Sequence, residues 1–212
     1  MRLLLVFNPN AQSGRAGRLL PAIREALETR SITFECLQTR AAGHGTALVA
    51  KADLSGFDAV VAVGGDGTVF EVLNGLYTHP VEQRIPMGLI PMGTGNAFAR
   101  EFDLLPSNWT SAVDLLAAGK VRKIDVGRVD CEGDRFYFLN IVGMGFAVDA
   151  GLAARKLKFI GNSAYTIGTL WKILTLGHYP LEIECDGRNM TQDNVFLEVS
   201  NSRYTGTKFL IA

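Results

Sequence analysis

Short apolar runs alternate with stretches of helical periodicity over roughly the first 120 residues of this chain. The runs are Arg2 to Phe7, Ile32 to Gln38, Asp58 to Val63 and Met87 to Ile90. Between them, Arg15 to Arg30 carries Leu19, Leu20, Ile23 and Leu27 on one face, and His44 to Leu54 follows the second run. After the third run, Val69, Val72, Leu73, Leu76 and Tyr77 fall at i, i+3, i+4, i+7 and i+8, a single helical stripe rather than the alternation of a returning strand. This rhythm predicts an α/β domain with a mostly parallel sheet. Pro21 would kink the first helix unless that helix begins just before it, because proline has no N–H to donate. Helical patterns resume at Asn96 to Phe102 and at Ser107 to Ala118, the latter ended by Gly119.

From about Lys120 the pattern becomes strand-like, at Val121 to Val129, Phe136 to Val142, Leu181 to Cys185, Val195 to Ser200 and Lys208 to Ile211. Glu132-Gly133-Asp134 and Asp186-Gly187 are turn signals between such pieces. One helical stretch, Ser163 to Leu176, interrupts them. The expected organisation is an α/β domain over residues 1–122 and a β-rich domain over residues 123–212.

Composition narrows the function classes. With 212 residues, 48% of them hydrophobic, the chain can build a substantial core. Lys plus Arg and Asp plus Glu both number 21, without long runs of either sign, which argues against nucleic acid as a partner. The three cysteines, Cys36, Cys131 and Cys185, lack the spacing of a zinc site or a disulfide framework and suit a reducing, cytoplasmic compartment. The apolar start stops at Asn8-Pro9, short of a signal-peptide core, and reads as a first strand. No apolar stretch reaches the ~18 residues of a membrane span, so no transmembrane segment is expected. The stretch Phe159 to Leu181 is broken by Asn162, Lys172, His178 and Pro180, and reads either as a core helix or as a greasy surface for a cleft or bilayer.

The candidate chemistry sits at the strand exits. Gly64-Gly65-Asp66-Gly67-Thr68 joins the third run to the helical stripe. At such a junction the first helical turn offers unpaired N–H groups and the positive end of the peptide dipoles, and glycines let a phosphate approach the backbone. Asp66 has two readings: a plain helix cap, or a carboxylate beside phosphates that works with a cation or takes the proton of an attacking hydroxyl. The other exits are Asn8 to Gly14, Gln38-Thr39-Arg40 with Gly43 and Gly45 behind, and Pro91 to Asn96, all small and polar. Ligands of open parallel sheets bind at these strand ends. No Gly-Lys-Ser/Thr P-loop and no Gly-x-Gly-x-x-Gly after the first strand is present. Arg15, Arg40 and Arg100 are candidate phosphate contacts, while His44, His79 and His178 have no metal partner at useful spacing.

The joint set of motifs resembles the diacylglycerol kinase catalytic domain family, which includes bacterial diacylglycerol and YegS-type lipid kinases, sphingosine kinases and ceramide kinases. The residues that carry it are the Asn8-Pro9 to Ser13-Gly14 start, Gly64 to Thr68 with Glu71, Asn74 and Gly75, and Pro91 to Arg100. Ile124-Asp125-Val126-Gly127, Phe138-Leu139-Asn140, Gly143-Met144-Gly145 with Asp149, Gly161, Tyr165 and Asp186-Gly187 continue it. The resemblance implies a Rossmann-like, mostly parallel α/β domain that binds nucleotide, followed by a β-sandwich-like domain for the lipid that is incomplete at the C-terminus.

It further implies ATP and Mg2+ as cofactors, and transfer of the γ-phosphate to a hydroxyl of a diacylglycerol-like or sphingoid-like lipid at the inner membrane surface. Asn8, Thr39, Gly64, Gly65, Asp66, Gly67, Thr68, Val69, Phe70 and Thr94 are the implied ATP contacts. Asp66 is the implied catalytic residue, Asp149 the implied contact to the lipid's polar head, and no residue is assigned to the metal. Two departures are Ala97, where an aspartate is common, and Phe70, where asparagine is frequent. Relatives also continue into an Asp-Asp-Gly-x-Leu-Asp motif and a glutamate base. This chain ends before both, so it is expected to be a piece of a longer protein with weak or no turnover by itself. The alternative is a non-catalytic nucleotide- or lipid-binding remnant; a kinase of the NAD kinase type shares Gly-Gly-Asp-Gly but not the later motifs.

Overall fold

A computed structural model describes residues 1–145, 177–205 and 209–210. The four N-terminal runs form strands β1 (Arg2–Phe7), β2 (Thr33–Gln38), β3 (Ala59–Gly64) and β4 (Met87–Pro91). All pair in parallel, in the order β2-β1-β3-β4. The central strands β1 and β3 are apolar almost throughout because the sheet is covered on both faces, whereas the edge strand β2 leaves Thr33, Glu35 and Gln38 exposed. Leu3, Leu5 and Phe7 of β1 pack with Ile23 and Leu27 of helix α1 (Arg15–Glu28). Leu4 and Val6, on the opposite side of the pleat, pack with Val49 of α2 (His44–Lys51) and with Val69, Val72, Leu73 and Leu76 of α3 (Asp66–Leu76). Each such aliphatic side chain contributes about 1.5–3 kcal/mol when fully buried. Two further helices, α4 (Ala97–Arg100) and α5 (Trp109–Ala117), follow β4, and Ala112 and Val113 of α5 join the α1 side of the core.

Several boundaries differ from the sequence pattern. Pro21 lies inside α1, well beyond its first turn. A proline there removes one intrahelical hydrogen bond, and the buried stripe through Ile23 and Leu27 holds the helix on either side of it. The helix expected at Asn96 to Phe102 shrinks to α4, because Asn96 adopts the left-handed conformation with φ 52° and so stands outside it. The strand expected from Val121 begins only at Gly127, giving β5 (Gly127–Cys131). The stretch Phe136 to Val142 divides into β6 (Asp134–Phe138) and β7 (Ile141–Gly145). The break has a cause: Leu139 turns into the core beside α3, while Asn140 makes a side-chain hydrogen bond to Asp66.

The later strands pair antiparallel: β5 with β6, β7 with β10 (Phe196–Ser200), β8 (Tyr179–Cys185) with β9 (Arg188–Asn194), and β11 (Tyr204–Thr205) with β12 (Phe209–Leu210). Both predicted turn signals are two-residue hairpin loops. Glu132 and Gly133 have φ 51° and 90°, and Asp186 and Gly187 have φ 50° and 74°, the doubly positive pattern that matches the strand twist.

Contacts divide the chain into two compact units, Met1–Asn140 with Asn201–Ala212, and Ile141–Ser200. The helix expected at Ser163 to Leu176, together with Asp149, Gly161 and Tyr165, lies outside the described residues. Among the described residues no helix is long and apolar enough to cross a membrane. Of the cysteines, Cys131 and Cys185 are exposed, whereas partial burial pushes the Cys36 thiol up, with Arg24 pulling it the other way.

Candidate functional site

The chain leaves β1 for β2 on one side and then returns to β3 on the other, so the strand order reverses between β1 and β3, the point beyond whose carboxyl ends open α/β sheets bind ligands. Asn8 and Thr68 meet there. The Asn8 N–H donates to Val63 O at 3.0 Å, and its side-chain Nδ2 lies 3.4 Å from Thr68 Oγ1. Thr68 is 4% exposed, so its hydroxyl is a structural link between the two loops.

Helix α3 begins at Asp66, with Gly65 as its extended N-cap and no side-chain cap. The Gly65 carbonyl accepts from the Thr68 and Val69 N–H groups at 2.9 and 3.1 Å. The N–H groups of Asp66 and Gly67, at the first two helical positions, have no carbonyl one turn earlier in the helix to bond, and they sit at the positive end of the peptide dipoles. Asp66 is therefore not the cap. Its Oδ1 accepts from the Phe98 N–H at 3.3 Å and from Asn140 Nδ2 at 3.2 Å, partners far away in sequence.

The β3 and β4 exits touch backbone to backbone. A β-carbon on Gly65 would lie 2.9 Å from the Gly93 α-carbon, and one on Gly93 would run into the Gly65 α-carbon. Asn96, 3% exposed, holds this loop by accepting from the Gly93 N–H at 2.9 Å and donating to the Gly93 carbonyl at 2.6 Å. Thr94 beside it is exposed.

The β2 exit is filled differently. Thr39 is buried, with its N–H on the Phe7 carbonyl at 2.9 Å. The Glu71 carboxylate of α3 accepts from the Gly43 and Gly45 N–H groups at 2.8 and 2.7 Å. The α2 N-terminus thus already holds an anion from the protein itself, whereas the α3 start has no side-chain cap.

The remaining expected contacts distribute unevenly. The Gly64 carbonyl accepts from the Met92 N–H at 2.7 Å. Val69 points into the core and offers a ligand no polar group. Phe70 is 43% exposed, its ring 6.0 Å from that of Phe136. Arg100 donates through Nε to Gly95 O at 3.2 Å, Arg15 reaches Gln12, and the Arg40 N–H donates to His44 Nδ1 at 3.0 Å. Ala97 is buried, at 5% exposure, and brings no acid to this loop.

Glu71, Asn74, Asn96 and Asn140 stand within the sequence motifs, where no local pattern gives them a role. The Asn74 side chain pairs with both backbone groups of Tyr137, Nδ2 donating to the carbonyl at 2.9 Å and Oδ1 accepting the N–H at 2.8 Å. This pins β6 to α3 and delivers Asn140 to Asp66. Among the described residues there is no cluster of three His, Cys, Asp or Glu side chains that could hold a metal. The Asp66 carboxylate and the buried, unpartnered Asn140 Oδ1 are nevertheless oxygen donors of the kind a hard cation takes.

Residues 2–129 match the family described as the diacylglycerol kinase catalytic domain. A Bacillus subtilis (strain 168) diacylglycerol kinase is 32% identical over 189 residues, covering 88% of this chain and 60% of that protein. Human sphingosine kinase 2 is 32% identical over 199 residues, covering 84% of this chain and 29% of that protein. A crystal structure of a Bacillus anthracis str. Sterne diacylglycerol kinase superposes with a TM-score of 0.71 at 29% identity, covering 96% of this chain and 65% of that one. The chain spans about 60% of the length of the bacterial relatives it matches. The motifs at the sheet edge, the parallel α/β core with its later antiparallel strands, and these matches together show that the chain belongs to the diacylglycerol kinase catalytic domain family.

Proposed function

We propose that this chain is part of an ATP-dependent lipid kinase that transfers the γ-phosphate to a hydroxyl of a diacylglycerol-like or sphingoid-like lipid at a membrane surface. The observation that carries the reading is the Asp66 carboxylate, held at the open start of α3 by Phe98 and Asn140 instead of capping the helix. A carboxylate kept beside a phosphate-binding helix start is unfavourable without a proton or cation to handle, and phosphoryl transfer supplies both. In this reading the Asp66 and Gly67 N–H groups receive phosphate oxygens. Asn8, Thr39, Gly64, Gly65, Thr68, Val69, Phe70 and Thr94 frame the nucleotide, Val69 through its backbone. Asp66 takes the proton of the lipid hydroxyl or orders the metal, and Asp149 contacts the lipid's polar head. Mg2+, when bound, would neutralise phosphate charge, and the Asp66 and Asn140 oxygens are the groups that would hold it, directly or through its bound waters.

A binding-only descendant of such a kinase is the second reading, favoured by the buried Ala97 where an aspartate is common and by the lack, among the described residues, of a cluster of three His, Cys, Asp or Glu side chains. Release of ADP from Mg·ATP in the presence of micelles of diacylglycerol or sphingosine separates the two. Asp66→Asn is expected to lower phosphate transfer by about 10²–10⁴-fold with unchanged circular dichroism. Transfer at the original rate would remove Asp66 from the mechanism. Nucleotide binding without lipid-dependent ADP release would favour the second reading.

A further inference from the structure

Both hydrogen bonds that the described residues make to the Asp66 carboxylate fall on Oδ1, and Oδ2 receives none from them. The contact also orients Asn140. Turning its amide over would set Oδ1 against the carboxylate, so Nδ2 faces Asp66. Oδ1 is then buried with no hydrogen-bond partner among the described residues. A buried acceptor without a donor is costly, and native structures keep few of them. The position is no accident of a loose loop. The Asn201 N–H donates to the Asn140 carbonyl at 2.7 Å, Asn201 Nδ2 donates to the Leu139 carbonyl at 3.2 Å, and Asn74 holds Tyr137 upstream.

We propose that Asn140 is a positioning residue for Asp66, and that its buried Oδ1 receives an O–H from a water of magnesium-bound ATP. The inference rests on the ATP-binding reading above. On these two contacting side chains, Asp66 Oδ2 and Asn140 Oδ1 are both acceptors that no described residue serves. A lipid hydroxyl has one proton and can serve only one of them, whereas a metal-bound water has two. An amide also adds an acceptor without adding charge, where a second carboxylate at this distance would repel Asp66 and the phosphates.

Calorimetric titration of the chain with ATP, with and without Mg2+, tests this in the wild type, Asn140→Ala, Asn140→Leu, Asp66→Asn and the Asp66→Asn/Asn140→Ala double variant. The leucine variant preserves volume should the alanine variant unfold. The gain in ATP affinity that Mg2+ brings is expected to fall about tenfold in either Asn140 variant. Affinity for metal-free ATP is expected to stay unchanged, and the double variant to lose no more than Asp66→Asn alone. An undiminished magnesium gain overturns the proposal. So does an equal loss with and without Mg2+, or a loss that persists in the Asp66→Asn background, since either marks a merely structural role. A wild-type chain that binds ATP with no gain from Mg2+ overturns it while leaving nucleotide binding in place. A wild-type chain that binds no ATP removes the kinase reading, and this proposal with it.

Discussion

Asn96 occupies a buried position in the left-handed region, at φ 52°, and satisfies both backbone groups of Gly93 with one side chain. Asparagine tolerates that conformation better than most residues. Asn96→Ala leaves a buried N–H and carbonyl unpartnered, and a loss of about 1–3 kcal/mol is expected. For a chain of this size that is a fall of roughly 2–4 °C in Tm per kcal/mol by scanning calorimetry. An unchanged Tm would show that the Gly65–Gly93 contact holds the loop without it. Asp66 was legible as important from Gly64 to Thr68 alone, but its role was not. A cap and a functional acid look identical in sequence, and Phe98 and Asn140 lie 32 and 74 residues away.

Helix α3 shows how much of an element a periodic pattern reveals. Its apolar stripe was plain from Val69, Val72, Leu73 and Leu76, and that stripe is the face buried against the sheet. Glu71 and Asn74 fall off the stripe, where polar residues ordinarily face water. The fold uses both as caps for neighbouring elements, Glu71 on the α2 start and Asn74 on β6. Glu71→Ala strips the acceptor from two amides and a negative charge from a helix N-terminus. Faster hydrogen exchange at residues 43–45 is expected, with stability lower by about 1–3 kcal/mol. Unaltered exchange there would mean that Glu71 does not hold the α2 start. The division of Phe136 to Val142 into β6 and β7 has the same origin. Alternation alone favours one continuous strand, and only the partners waiting at Asp66 and in the core break it at Leu139-Asn140.

At the scale of the molecule, the helices that follow the parallel strands all start at the carboxyl edge of the sheet, and the α2 start there is already neutralised by Glu71. Saturating ATP is therefore expected to slow amide exchange at residues 65–67 and around Gly93, and to change residues 43–45 little. Strong protection at 43–45 instead would place the phosphates at α2 and contradict the role given to α3. The alternation of runs and helical stretches by itself determined a parallel α/β domain, its core stripes, both hairpin turns and the glycine-rich loops that mark the family, because periodicity, turn chemistry and local motifs are properties of neighbouring residues. Tertiary structure alone decided that α3 starts at Asp66, that β1 lies between β2 and β3, that Glu71 fills the α2 start, and that Asn140 meets the carboxylate. Each of those depends on which distant segments pack together. A local pattern records that a residue is polar or apolar, but not which partner satisfies it.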